Sequence, residues 1–252
     1  MSVDVTSHGA IRLVTINRPE RANALDGATM GGIGTAFADA EVDDTVQVVV
    51  LTGAGNRVFC AGMDLKAQGD ERTPPAGSPG LEVLMNRCYP KPVIAAVNGA
   101  AMGGGFELVM ASDLAVVADH VTFGVPEVKR GVVGAGCSTR TAVRVPPAIA
   151  YEMTLTGDPI TAQRALELGL VNEVVPADEV LDRAMALAER IAANAPIALR
   201  ITKQIVWDAA GNRTAEEWAT IRAKAAPAFA SDDAREGAAA FAERRPPRWT
   251  GK

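Results

Sequence analysis

Glu107 stands three residues after Gly104 in the run Gly103-Gly104-Gly105, and Glu127 closes the segment Phe123-Gly124-Val125-Pro126-Glu127. A helix that begins at the glycines exposes unpaired backbone N–H groups together with the positive end of its macrodipole, and the lack of side chains lets a substrate oxygen approach. That is material for half an oxyanion hole. Each feature also has a plain structural explanation. A glycine run is a tight strand-to-helix turn, a first-turn glutamate complements the helix dipole, and Glu127, after a proline that fixes the chain's direction, reads equally well as a cap or a surface residue.

Other chemistries find less support. Histidine is the commonest general base, and there are only two, His8 in an expected hairpin turn and His120 between two strands. No G-x-S-x-G elbow occurs, so a Ser-His-Asp triad would have to recruit one of those turn histidines. Cys60 precedes Ala-Gly-Met with no histidine nearby in sequence, which fits a buried inert thiol better than a nucleophile. The segment Gly53-Ala54-Gly55-Asn56-Arg57 lacks the third glycine of a dinucleotide turn, and no G-x-x-x-x-G-K-[ST] is present. The three cysteines, Cys60, Cys88 and Cys137, are odd in number and irregular in spacing. Reduced thiols, no disulfide, no structural zinc and no other metal are therefore expected.

The elements that must position these residues follow from composition and pattern. At 252 residues and 48% hydrophobic, the chain is ample for a large buried core. No apolar run approaches the roughly 18 uncharged residues of a membrane helix. A formal charge of −5 with scattered basic residues gives no electrostatic footprint for nucleic acid. The first residues, MSVDVTSHGA, lack a basic segment followed by an apolar stretch, so a cytoplasmic location is expected. Val3–Thr6 and Ile11–Ile16 alternate around Gly9 as a hairpin, and Asn23 or Asp26 caps a helix running to about Ala40. Val46–Leu51 reads as a strand buried on both faces, Pro92–Val97 as a further short apolar strand, Phe106–Ala111 as a helix, Leu114–Ala118 and Val121–Phe123 as a strand pair, and Leu170–Val175 as a late strand. Strands separated by helices indicate an α/β core with largely parallel sheets. From Asp178 onward the spacing is helical, with helices also expected at Ile197–Trp207, Thr214–Lys224 and Asp232–Glu243. Gln68–Gly80, rich in Pro, Gly and charge, reads as a mobile surface loop.

Taken together, five segments resemble the crotonase, or enoyl-CoA hydratase/isomerase, superfamily. They are Asn17-Arg18-Pro19-Glu20-Arg21-Ala22-Asn23-Ala24-Leu25; Phe59-Cys60-Ala61-Gly62-Met63-Asp64-Leu65; Pro92 to Gly99 leading to Gly103-Gly104-Gly105-Phe106-Glu107-Leu108; Phe123 to Glu127; and Leu155-Thr156-Gly157 with Ala165 and Leu168-Gly169-Leu170-Val171. Ser231 to Gly237, with Phe241 and Arg245-Pro246-Pro247, is similar to the family's last helix. The resemblance implies an α/β fold of crotonase-like repeated ββα units with a C-terminal helical module. Residues 1–193 would be the ββα core for CoA thioester binding and catalysis, and 194–252 a helical trimerisation module. A homotrimer, or a hexamer made as a dimer of trimers, is expected.

It further implies an acyl-CoA thioester as substrate and no separate cofactor, coenzyme A being part of the substrate. The N–H of Met63, after the Ala-Gly pair, and the N–H of Gly104 match the family's two oxyanion donors. Arg21, Ala22, Met63, Asp64, Leu65 and Lys66, with Gly104, match its substrate and CoA contacts. Lys66 would attract phosphate, although as a solvated loop lysine it needs no such role, and Asp64 also reads as a structural cap. The family's hydratases use both glutamates, so the resemblance points to an enoyl-CoA hydratase adding water across the 2,3 double bond through a stabilised enolate. Glu107 would orient and deprotonate the water, and Glu127 would supply the C2 proton. Dehydration of a specialised hydroxyacyl-CoA, double-bond isomerisation and a non-catalytic acyl-CoA-binding protein are the alternatives. The chain departs from the family pattern at Cys137-Ser138-Thr139, where a glycine and a threonine usually stand, at Thr141 in place of leucine, and at the bulky Phe106.

Overall fold

A computed structural model describes residues 2–67, 69–211 and 214–251. The chain opens with an antiparallel hairpin, β1 (Val3–His8) and β2 (Ile11–Ile16), turned at Gly9. Helix α1 (Gly27–Val42) follows, capped by Asp26, whose Oδ1 accepts from the Thr29 N–H at 2.8 Å. From there strands come in twos: β3 (Val48–Gly53) and β4 (Val58–Cys60), β5 (Val93–Val97) and β6 (Ala100–Met102), β7 (Leu114–Ala118) and β8 (Thr122–Gly124). The short α2 (Glu82–Met85) precedes β5, and α3 (Gly104–Ala111) follows β6.

The first strand of each pair enters a six-stranded sheet of order β1-β2-β3-β5-β7-β10, and the second enters a four-stranded sheet of order β4-β6-β8-β9. Strand β9 is Ile160–Thr161 and β10 is Glu173–Val175. Apart from the β1–β2 and β8–β9 pairs, the ladders are parallel. All residues of β3 and β5 are buried, as expected of strands covered on both faces. The expected strand pair of Leu114–Ala118 with Val121–Phe123 is corrected here. β7 takes β5 and β10 as neighbours, so both its ladders are filled, and β8 turns away to pair with β6 and β9.

After β8 come a 3-10 turn, Pro126–Arg130, then α4 (Ala135–Arg144), α5 (Pro147–Thr156) and α6 (Ala162–Glu167). Helix α7 (Val180–Ala192) covers the large sheet through buried Val180, Ala184 and Ala188 at helical spacing, the apolar stripe read from the sequence. Helices α8 (Pro196–Ala209), α9 (Ala215–Ala230) and α10 (Asp232–Glu243) complete the chain. α9 contacts α4, and α10 packs on Pro126–Arg130. Gly237 meets the Arg130 carbonyl so closely that a Cβ there would overlap it.

The segment expected as a mobile loop is seated on α1. It contains a 3-10 turn at Gly69–Arg72, and Ser78 Oγ donates to the Gly31 carbonyl at 3.0 Å. Gly27 and Gly34 leave room for the backbones of Thr73 and Gly80. Gln68, the first residue of that expectation, lies outside the described residues. Among the described residues no helix is long and apolar enough to cross a membrane, and no cluster of three metal-ligating side chains occurs. The three cysteines are free, and burial pushes the Cys60 thiol up to about 12, which leaves it without thiolate character near neutrality.

Candidate active site

The small sheet builds the site. Its strands β4, β6 and β8 are parallel neighbours, so their C-terminal ends lie side by side. Met63 stands three residues beyond the end of β4, Gly104 two beyond β6, and Glu127 three beyond β8. Consecutive chain passes thus deliver one element each to a single corner.

Met63 is held by a parallel bridge to Leu25. The Leu25 N–H donates to the Gly62 carbonyl at 2.8 Å, and the Asp64 N–H donates to the Leu25 carbonyl at 3.0 Å. This arrangement uses the groups on either side of Met63 and leaves its own N–H aimed the other way. Gly104 is the first residue of α3, where a helix N–H has no partner in the preceding turn. Among the described residues neither N–H meets an acceptor. The two amides are close: a Cβ added to Gly104 would stand 3.9 Å from Met63 N, and one added to Gly62 would stand 3.1 Å from Gly104 N. Gly62 (φ 87°) and Gly103 (φ 53°) both adopt conformations that side chains resist, so the chain can make its two sharp turns here. Gly105 fits α3 directly over the Cys60 carbonyl.

Both glutamates reach this corner. Glu107 lies in the first turn of α3 with its side chain 19% exposed, and Glu127 in the 3-10 turn is also half-buried. Glycines make room for both. The Glu127 carboxylate lies over Gly103, whose added Cβ would be 3.1 Å from Oε1, and over Gly134, where a Cβ would be 2.9 Å from Cδ. The Glu107 carboxylate occupies the space a side chain at Gly136 would need. Burial pushes the Glu107 carboxyl above its ordinary value, with the Arg140 guanidinium pulling the other way. Burial likewise raises Glu127, and the Glu107 charge adds to the rise against its own backbone N–H and the Cys137 thiol. Glu127 Oε2 is buried without a hydrogen-bond partner among the described residues. Two carboxyls so placed resist joint ionisation, the arrangement that lets one act as acid and the other as base.

The structure adds residues that pattern alone did not single out. Arg140 of α4 is 4% exposed, and its Nε lies 3.7 Å from Glu107 Oε1. Trp218 of α9 lies against its guanidinium, 5.0 Å from carbon to ring centre. Cys137, where the family pattern has glycine, is buried with Sγ 2.9 Å from the Gly103 carbonyl, to which its thiol donates. Phe106, the other departure, is buried and packs its ring 5.3 Å from that of Phe123, beneath the site.

The residues matched to CoA contacts are gathered beside the amides. Ala22 accepts from the Ala61 N–H at 3.1 Å, and Asn23 ties the two segments through Nδ2, which donates to the Ala54 and Val58 carbonyls at 2.9 and 2.8 Å. Asn23 is therefore a buried clamp, and the helix cap is Asp26. Asp64 is turned inward as a brace, 7% exposed, with Arg18 and Arg21 each 3.2 Å from Oδ2 and the Lys66 N–H 3.1 Å from Oδ1. Burial raises its carboxyl, but the Lys66 N–H and the Arg21 and Arg18 guanidiniums outweigh this and hold it below the ordinary value. Arg21, Met63, Leu65 and Lys66 are exposed. His8 and His120 are exposed, their polar contacts being with Thr6, and with Asp119 and the Asn56 carbonyl.

Comparison with known proteins agrees with this construction. Residues 6–252 match the family model described as enoyl-CoA hydratase/isomerase. A carnitinyl-CoA dehydratase of Proteus mirabilis is 40% identical over 261 aligned positions, covering 100% of this chain and 99% of that protein. The crystal structure of a carnitinyl-CoA hydratase from Mycobacterium avium superposes with a TM-score of 0.92 at 39% identity, covering 100% of this chain and 99% of that one. An enoyl-CoA hydratase from Mycobacterium tuberculosis H37Rv gives 0.78 at 45% identity, over 100% and 99%. The match along nearly the whole length, in sequence and in fold, makes the chain a member of the enoyl-CoA hydratase/isomerase family within the crotonase superfamily.

Proposed function

We propose that the protein catalyses the reversible addition of water across C2–C3 of a 2-enoyl-CoA, the same site serving dehydration of the corresponding 3-hydroxyacyl-CoA. The observation that carries this reading is the placement of Glu107 and Glu127 in one half-buried site beside the free N–H groups of Met63 and Gly104. In the hydration direction, the water oxygen bonds to C3 while Glu107 takes one of its protons. The electron pair of the double bond moves toward the thioester oxygen as an enolate, held by the two amides, and Glu127 gives its proton to C2. One water is consumed, and the proton gained by Glu107 returns to Glu127 through solvent. Losing one oxyanion donor typically costs about 2.7 to 4 kcal/mol of transition-state stabilisation. Arg21, Ala22, Leu65 and Lys66 flank the amides and would carry the CoA portion, with Lys66 offering a positive charge to phosphate.

Loss of the enoyl thioester absorbance tests the reading, with crotonyl-CoA and longer enoyl-CoAs as substrates. Glu107→Gln and Glu127→Gln should each lower kcat by orders of magnitude and keep CoA affinity. Retained turnover in both overturns the assignment, and binding without hydration by the native protein leaves an acyl-CoA carrier. Relatives named carnitinyl-CoA dehydratase, 40–42% identical, support a narrower second reading: dehydration of a 3-hydroxyacyl-CoA that bears a quaternary ammonium group. A higher kcat/KM for carnitinyl-CoA than for 3-hydroxybutyryl-CoA would decide for it. The exposed apolar stripe Ile197, Ile201 and Ile205 on α8 supports self-association, and sedimentation can check whether the product is the expected homotrimer or hexamer.

A further inference from the structure

Helix α4 presents Cys137 and Arg140 on one face, three residues apart. The guanidinium pairs with one carboxylate, and the thiol bears on both. Cys137 lies at Gly103 and Glu127, whereas Arg140 lies at Glu107. Arg140 Nη2 donates to the Met85 carbonyl, its Nε faces Glu107, and the Trp218 ring covers the guanidinium from the C-terminal helices. Arg144, one turn further along, is directed away onto the Met110 and Ser112 carbonyls at 3.0 and 2.7 Å. Among the described residues, the charged or titratable groups bearing on Glu107 are Arg140 and Cys137 from α4 and Glu127 from the 3-10 turn. Both carboxylates therefore face the thiol and each other, and Glu107 alone of the two has a buried cation beside it among the described residues.

We propose that Arg140, braced by Trp218, is a positioning residue that holds Glu107 in its anionic form and so assigns it the proton taken from water, leaving Glu127 to carry the proton for C2. The inference rests on the hydration and dehydration reading and deepens it. A guanidinium does not give up its proton. Buried without a facing carboxylate, it is an uncompensated charge, and so ionised Glu107 and Arg140 stabilise each other. The same attraction opposes a proton remaining on Glu107 after water has added, which favours its return before the next turnover. Trp218 contributes its ring face to the cation and fixes where the fork points.

The test is the pH dependence of kcat/KM for the native protein, Arg140→Met, Arg140→Lys and Trp218→Leu. It is joined by a carboxylate titration of each, using 13C-labelled glutamate signals assigned through Glu107→Gln and Glu127→Gln. Base catalysis by Glu107 is lost as pH falls through its pKa, so removing the cation moves this acid limb upward. An opposite charge within about 4–6 Å is typically worth about 1–3 pH units, the shift expected for Arg140→Met. Arg140→Lys should recover most of it, and Trp218→Leu should shift the limb the same way by less. A bracing role alone would lower Tm and kcat at every pH with the limb unmoved. An unmoved limb or an unchanged Glu107 titration in Arg140→Met overturns the proposal. Should Arg140→Met not fold, the titration of Trp218→Leu decides in the same way. Absence of hydration by the native protein would defeat the reaction reading, whereas the carboxylate titration needs no turnover and still judges Arg140.

Discussion

Gly136→Ala separates the placement of Glu107 from the stability of the fold. Gly136 lies inside α4 with a backbone that any residue can adopt, and a Cβ there would overlap the Glu107 carboxylate. The obstructing atoms are the far end of a side chain, so Glu107 can swing aside. An off-rotamer side chain costs roughly 0.5–1.5 kcal/mol, and replacing a helical glycine by alanine returns about 1 kcal/mol. The two nearly cancel so long as the displaced carboxylate stays beside the Arg140 guanidinium, and at about 2–4 °C per kcal/mol for a chain of this size Tm should then stay within a few degrees. Activity has no such offset. Misplacing a reacting group by about 1 Å can cost about 100-fold, which corresponds to about 2.7 kcal/mol of barrier. The assay is crotonyl-CoA hydration beside a thermal melt and a CoA titration. Gly105→Ala serves as the contrast, because its Cβ would meet the backbone of Cys60 and must damage the fold itself. A Gly136→Ala protein with native kcat would refute the reasoning, as would one whose Tm collapses along with its activity.

Gly104→Ala puts a methyl group in the corner between Met63 N and its own N–H, and kcat/KM should fall by about 100-fold or more, as for loss of one oxyanion donor. Removing the Asp64 charge by Asp64→Asn takes the shared partner from Arg21, which is partly exposed, and from Arg18, which keeps Asp26, and denaturant melts should show a loss of about 1.5–3 kcal/mol near neutral pH. Since the folded Asp64 carboxyl is held below its ordinary value, the native protein keeps that contribution above pH ~4 and loses it as pH falls through the folded pKa. The Asp64→Asn melt should be flatter over that acid range, and an equally steep one counts against the brace. Thiol reagents applied to the native protein should modify half-buried Cys88 first, with Cys60 and Cys137 reacting only on unfolding; early loss of Cys137 would mean α4 opens.

The large sheet and the helices over it were legible because long elements carry a period. The hairpin, α1, β3, β5, β7, α7, α8 and α10 all fall where the sequence pattern puts them, within a few residues at their ends, whereas α9 runs on past its expected end at Lys224 to Ala230, through Pro227. Of the small sheet only β8 was legible, at Val121–Phe123. Its strands β4 and β6 are three residues each and too short to show alternation, yet they carry Met63 and Gly104. What revealed those residues was the family resemblance and the glycine run. Arg140 and Trp218 stand farther off in the chain, and no local rule joins an arginine on α4 to a tryptophan on α9. The available signal was an arginine three residues after Cys137, the spacing of one helix face, with Cys137 buried: a charge on the inward face of a helix requires a partner.

The alternation of strands between two sheets explains why the site could be read in pieces. Each chain pass leaves the small sheet at the same edge, so whatever follows β4, β6 and β8 converges whether or not the sequence links the segments. The amides and the backbone that carries Glu127 thus belong to the repeat, although the Glu127 carboxylate also rests on Gly134 and Cys137 of α4. Glu107 is different. Its carboxylate depends on α3 from within, but on Gly136 and Arg140 of α4 and, through Trp218, on α9 from outside the repeat. Substitutions in α4 and α9 should therefore change which carboxylate holds the proton without disturbing the thioester amides. Variants there are expected to alter the pH profile and the reaction partition between hydration and double-bond migration while CoA affinity holds. A variant of Arg140 or Trp218 that loses CoA binding before it loses proton control would show that the amide corner and the carboxylate pair are not separable in this way.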